Sequence, residues 1–137
     1  MKIRTCNSRK GAATSELAIL LPLLMFVFVI TVDWARVFYY SITLTNVASQ
    51  GAIYGSDPIA AAQSPYTSVQ QAALADAANL TPQPTVTYVN GTDSAGNPYI
   101  SVTATWYFST ITNYPGVGSG VNLSRTVTMR VAPTAPN

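Results

Sequence analysis

Between Glu16 and Asp33 the chain carries no charged residue: Leu17-Ala18-Ile19-Leu20-Leu21 leads through Pro22 into Leu23-Leu24-Met25-Phe26-Val27-Phe28-Val29-Ile30. Counted back to Gly11, the stretch reaches about 20 residues, the helix length that crosses a hydrocarbon layer of roughly 30 Å. Lipid gives backbone groups no water to bond, so a spanning segment of this kind has to be helical. Pro22 lies inside it and is expected to kink it, which membrane helices tolerate better than soluble ones. Lys2, Arg4, Arg9 and Lys10 cluster ahead of the run, leaving only Arg36, Arg125 and Arg130 elsewhere. That is the positive-inside pattern, which holds the first residues in the cytoplasm and sends the rest across. A nucleic-acid-binding arm is the competing reading of the cluster, but no second basic patch supports it. A buried soluble helix is the competing reading of the run, and the basic flank argues against it.

The organisation of the remainder follows from periodicity. Residues 1–10 are polar and basic and are expected to be unstructured. One long helix is expected from Gly11 to about Gly51, apolar at first and then amphipathic, with Val37, Leu44, Val47 and Ala48 at helical spacing. Trp34, Phe38, Tyr39 and Tyr40 follow the apolar run, as an aromatic belt at the outer interface or as core, and both readings stay open. Gly51, Gly55 and Asp57-Pro58 read as stop signals. A second, weaker helix is expected from Tyr66 to Asn79, ended by Pro82 and Pro84. The period then changes to two. Ile100, Val102, Ala104, Trp106 and Phe108 alternate with polar and Tyr positions, and Val121, Leu123, Val127, Met129 and Val131 repeat the pattern. Arg125 is the exception on the apolar side and suggests a sheet edge. A shorter strand over Thr85–Asn90 joins through the turn-rich Gly91–Pro98. The expected fold class is therefore α+β: a long N-terminal helix, then a small domain with a short helix and an antiparallel sheet of about three strands. The expected boundaries are a basic leader at 1–11, a transmembrane helix at 12–33, its amphipathic continuation at 34–55 and an extracytoplasmic domain at 56–137.

Composition narrows the function. There is no His in the sequence, which removes His-based acid–base catalysis, His metal sites and Ser-His-Asp triads. The single cysteine, Cys6, lies in the basic leader; it forms no intramolecular disulfide and is a poor nucleophile candidate. Glu16, Asp33, Asp57, Asp76 and Asp93 are scattered. The oxygen-rich Asn90–Asn97 segment lacks the spaced carboxylates of a calcium loop, and a hairpin connection is the better reading. Trp106, Tyr107, Phe108 and Tyr114 read as core or strand-face residues of a small domain that has no disulfide to hold it. No enzyme activity, cofactor, metal or nucleic-acid partner is expected.

The most informative string is Lys10-Gly11-Ala12-Ala13-Thr14-Ser15-Glu16, immediately before the apolar run. A carboxylate opening a membrane helix costs several kcal/mol unless it is partnered or reaches the interface. Glu16 meets that condition by snorkelling to the headgroups, where it also suits the helix dipole. A second account is processing. The string resembles a class III signal, in which a Gly follows a short basic leader and a Glu stands fifth after the cut. The residues after Val32, Asp33-Trp34-Ala35-Arg36, make a poor secretory cleavage site.

The likeness extends along Glu16-Leu17-Ala18-Ile19-Leu20-Leu21-Pro22-Leu23-Leu24, then Asp33, Arg36, Phe38, Tyr39, Asn46-Val47-Ala48 and Gly51-Ala52. Over roughly residues 9–55 this resembles the TadE-like family of pilin-like proteins in the Tad pilus machinery. The resemblance implies a minor pilin or pseudopilin, anchored in a bacterial inner membrane with its N-terminus cytoplasmic and its C-terminal domain outside. It implies cleavage between Gly11 and Ala12 by a prepilin peptidase, and pairing of Glu16 with the free amine of Ala12 on a neighbouring subunit. Other pilins and pseudopilins, and the Tad platform proteins and ATPase, are the implied partners. Asp33 and Arg36, one helical turn apart, are expected to form an ion pair in the helix or a contact between subunits. The rival reading is a non-polymerising single-pass protein that displays a binding domain outside the membrane.

Overall fold

One 49-residue helix, α1 (Ser8–Ser56), opens the described chain, runs through Pro22 and is ended by Asp57-Pro58. The computed structural model describes residues 8–114 and 118–133, with side chains described at 11, 13–111 and 120–133. The expected unstructured leader therefore lies partly outside the described residues, and Ser8–Lys10 are already helical. Further elements are α2 (Pro58–Gln63), α3 (Val69–Leu74) with a 3-10 turn at Ala75–Ala77, and strands β1 (Thr85–Thr92), β2 (Pro98–Tyr114) and β3 (Gly118–Arg130). The strands form one antiparallel sheet in the order β1-β2-β3. The fold class is α+β, as the periodicity implies. Contacts divide the chain into two compact units, Met1–Ala35 and Arg36–Asn137.

In the first unit α1 has no sidedness. Leu17, Ile19, Leu20, Leu21, Leu23, Leu24, Met25, Phe26, Val27 and Phe28 are all at least half exposed, so the apolar surface runs round the whole circumference. Pro22 sits inside the helix, where its ring removes one backbone hydrogen bond. Polar side chains here are satisfied locally, as when the Thr31 hydroxyl donates to the Val27 carbonyl at 2.8 Å.

In the second unit α1 is one-sided. Leu44, Val47, Ala48 and Ala52 are fully buried at the spacing of one helical face. Leu44, Val47 and Ala48 join Ala73, Ala77, Leu80, Ala104, Phe108 and Leu123 in one cluster. Ala52 joins Val69, Ile100 and Val102 in a second. Along β2 the buried residues Ile100, Val102, Ala104 and Phe108 alternate with outward Ser101, Thr103 and Thr105, as the period of two requires. Those outward hydroxyls pair across to β3, Ser101 with Thr128 at 2.9 Å and Thr103 with Thr126 at 2.8 Å. Arg125 is exposed opposite Ala104 on β3, an edge strand, which agrees with its breaking the apolar pattern.

Three expectations need correction. Gly51 and Gly55 do not stop the helix; α1 runs through both and ends at Ser56. They are packing positions: a Cβ on Gly51 would lie 3.1 Å from Val102 Cγ1 and 3.1 Å from Ala73 Cβ, and one on Gly55 would collide with Ile100 Cδ1. The stop is Asp57, whose carboxylate accepts from the Ile59 and Ala60 amides at 3.0 Å and starts α2, with Pro58 in its first turn. Second, α2 has no counterpart in the periodicity. Third, the helix expected over Tyr66–Asn79 is shorter, because Ser68 caps α3 through the Gln71 amide at 3.1 Å and Thr67 is bound by Gln71 Oε1.

The Gly91–Pro98 segment closes the β1–β2 hairpin. Asp93 Oδ1 accepts from the amides of Ala95 at 2.9 Å and Asn97 at 2.8 Å, and Arg130 reaches Oδ2 at 3.0 Å. Gly96 takes the positive φ the turn requires, 84°. The Asn97 hydrogen bonds, with the Ala95 amide and the Arg130 charge, outweigh desolvation and hold the Asp93 carboxyl below its ordinary 3.8.

Two outcomes follow for detergent-solubilised full-length protein, followed by circular dichroism. Leu44→Ala lowers stability by about 2–5 kcal/mol, and Gly51→Leu lowers it by about 1–3 kcal/mol through overpacking. Because the folded Asp93 pKa is depressed, its contribution is present above the ordinary carboxylate value and fades as pH falls through the folded one. Asp93→Asn is therefore destabilising at neutral pH, and its melting temperature falls less steeply than that of the parent below about pH 4.

Candidate functional site

The residues singled out by the sequence lie along α1. Gly11 is helical and exposed, with no atom within 4 Å of where a Cβ would stand. Ala12 is helical; its side chain lies outside the described residues. Glu16 is exposed one turn further on, directly before the first of the large exposed apolar side chains, Leu17.

The exposed apolar surface is the dominant physical fact of this segment. Among the described residues, one helix is long and apolar enough to cross a membrane, and none of its most apolar window is buried. Burying a large apolar side chain stabilises by about 1.5–3 kcal/mol, so leaving ten of them half or more exposed to water forgoes on the order of 10–20 kcal/mol. A typical domain has only about 5–15 kcal/mol of stability in total. Water is therefore the wrong solvent for this surface, and a lipid bilayer is the right one.

At the far end of the run Asp33 is buried, at 3% exposure, and a carboxylate out of water requires compensation. Arg36 is half-buried and its guanidinium carbon lies 5.0 Å from the centroid of the Phe108 ring, a cation–π contact. The aromatic group divides between the two readings the sequence left open. Trp34, Phe38 and Tyr39 are exposed, whereas Tyr40 packs on Trp106 and Phe108 with centroids 4.8 and 5.7 Å away. Alternation in the sequence does not separate these roles; only the position of β2 beside α1 does.

Sequence reasoning missed a cleft in the second unit. It has a volume of about 470 Å³ and is lined by Arg36 and Tyr40 from α1, the Asn79–Pro82 segment, and Trp106, Tyr107 and Ser109 from β2. Trp106 Nε1 donates to the Pro82 carbonyl at 2.7 Å and fixes the indole in the wall. Among the described residues, no group of His, Cys, Asp and Glu side chains is placed to hold a metal ion.

Against known proteins, residues 11–52 match the family model of TadE-like proteins, a family associated with the Tad pilus. The match covers Gly11, Ala12, Glu16, the apolar run, Asp33, Arg36 and the buried stripe Leu44, Val47, Ala48 and Ala52. No curated protein and no solved structure matches the chain. The single apolar helix and the TadE-like segment together fit a single-pass membrane protein of the Tad system.

A charge placed in the run tests the membrane role. Val27→Arg costs about 2.5–3.5 kcal/mol of insertion free energy at a helix centre. The expected result is a clear shift of the protein from the carbonate-resistant membrane fraction toward the soluble or degraded pool, while Thr31→Ser leaves the distribution unchanged.

Proposed function

We propose that this protein is a non-enzymatic minor pilin or pseudopilin-like component of a Tad-type pilus or secretion system. It is held in the bacterial inner membrane by α1, with the N-terminus cytoplasmic and the C-terminal domain outside. The observation that carries the reading is the TadE-like match beginning at Gly11, on a helix whose apolar surface has no sidedness. The orientation follows from Lys2, Arg4, Arg9 and Lys10 standing on one side of the run.

In this reading the protein works by assembly. A prepilin peptidase cuts between Gly11 and Ala12, removing the basic leader and leaving the helix in the bilayer. The new Ala12 amine then faces Glu16 of a neighbouring subunit. In lipid, each charge is expensive alone, and the pair sets the register between subunits. The small apolar-all-round helix packs laterally among others through close van der Waals contact. Other pilins, the platform proteins and the ATPase of the machine are the partners.

Intact mass and N-terminal sequencing of membrane-extracted protein test the processing step. The expected mature chain begins at Ala12. In a Glu16→Ala variant, the chain stays in the membrane and its incorporation into sheared surface fractions drops at least tenfold. An intact leader in the parent protein would remove the Ala12–Glu16 pairing and favour a single-pass binding protein that does not polymerise.

A further inference from the structure

One face of the sheet takes no part in the core. Helices α1 and α3 pack on the side of Ile100, Val102, Ala104 and Phe108. The opposite side is a grid of hydroxyls. Thr87, Thr103 and Thr126 form one row across the three strands, and Thr85, Thr105 and Ser124 form the next. The β1 and β3 members of these rows are exposed, and the β2 members are half-buried between them.

Two tyrosines close the grid, and both lie down on it. A Cβ on Gly91 would stand 2.6 Å from Cζ of Tyr99, its cross-strand partner, and a Cβ on Gly120 would stand 2.6 Å from Cζ of Tyr107. Each ring therefore fills the space that a side chain on the neighbouring strand would take, which is why glycine stands there. The surface that results is level, with an aromatic ring at each end and hydroxyls between. It is roughly 27 Å long by the rise per residue and about 14 Å wide for three strands.

These dimensions and this chemistry select the occupant. The area, under about 400 Å² by the strand spacing, is half of the about 800 Å² per partner that a stable protein complex buries. A second copy is therefore a poor fit. From the Thr103 row to Tyr107 the described residues of this face carry no charge, and Arg130, opposite Tyr99, is already held by Asp93 at 3.0 Å. Nothing here draws a nucleic acid or an acidic polymer. The hydroxyls keep bonding capacity: Ser101 with Thr128 and Thr103 with Thr126 each use one hydroxyl hydrogen, leaving the second hydrogen and free lone pairs for a ligand. A neutral chain of pyranose rings meets every condition. Its C–H faces stack on the electron-rich faces of aromatic rings, and its hydroxyls exchange hydrogen bonds with the grid.

We propose that the outer face of the sheet binds a neutral, linear polysaccharide of the cellulose or chitin kind, stacked on Tyr99 and Tyr107 and hydrogen-bonded along the Ser/Thr rows. Every residue involved lies on β1, β2 or β3, so the site stands apart from leader cleavage and helix packing.

The test uses full-length protein in a detergent without a sugar headgroup, because a glycoside detergent would compete. Cellohexaose and chitohexaose are titrated in with amide signals followed by NMR, and retention on microcrystalline cellulose and on chitin is measured alongside. The expected result is saturable binding of at least one of the two sugars, with shifts centred on Tyr99–Tyr107 and on the facing part of β3. Tyr99→Ala and Tyr107→Ala each weaken it at least tenfold, and Arg125→Gln, on the other face of β3, leaves it unchanged. Thr126→Lys sets a charge in the grid on an exposed edge strand, and its tenfold loss keeps the test valid if a tyrosine variant fails to fold. No saturable binding of either sugar, or binding that Tyr107→Ala and Thr126→Lys leave intact, would overturn the proposal. So would the same shifts on raising the protein concentration alone, which would assign the face to a second copy.

Discussion

The structure depends on one helix having to satisfy two different surroundings. Through Phe28, α1 is apolar on every side, a surface that water would penalise by an amount comparable to a small domain's whole stability. From Val37 onward the same helix buries one face, where Leu44, Val47, Ala48 and Ala52 are fully buried against the sheet and α3, while Phe38, Ile42 and Ile53 stay exposed. The first arrangement is the requirement of lipid and the second is the requirement of a globular core.

The small domain achieves its packing with small residues. Ala48, Gly51, Ala52 and Gly55 present almost no side chain, and Ala73, Ala77 and Ala104 face them from α3, the following turn and β2. Close approach of backbones replaces the bulk that a larger core would use, and it leaves little tolerance for added methylenes. With one cysteine in the whole sequence, no intramolecular disulfide assists. The sheet's outer face is held by paired hydroxyls, and the β1–β2 hairpin by Asp93, which ties its own loop to Arg130.

How much of this was legible varies with the range of the interaction. The apolar run, the long helix and the three strands were readable because each is written in a local period of 3.6 or 2. Gly51 and Gly55 were misread because a glycine near the end of a helical pattern normally signals a cap; Val102 and Ile100, which explain them, arrive about fifty residues later. The short α2 gave no signal because six residues are too few to show a period, although Asp57-Pro58 was recognised as a stop. The string around Gly11, Ala12 and Glu16 is legible because a family signature is local. The cleft was not, since Arg36, Thr81 and Trp106 come from three separated segments and meet only when the sheet forms beside α1.

The central claim is that α1 serves assembly as well as anchoring. Its most direct test is cross-linking in cells, with a photoreactive residue placed at Leu24 in the middle of the apolar run. The account predicts a ladder of covalent products containing further copies of the chain or other pilin subunits, joined helix to helix. A labelled monomer cross-linked to lipid alone, in cells where the Tad machinery is active, would contradict it and leave a membrane-tethered binding protein in its place.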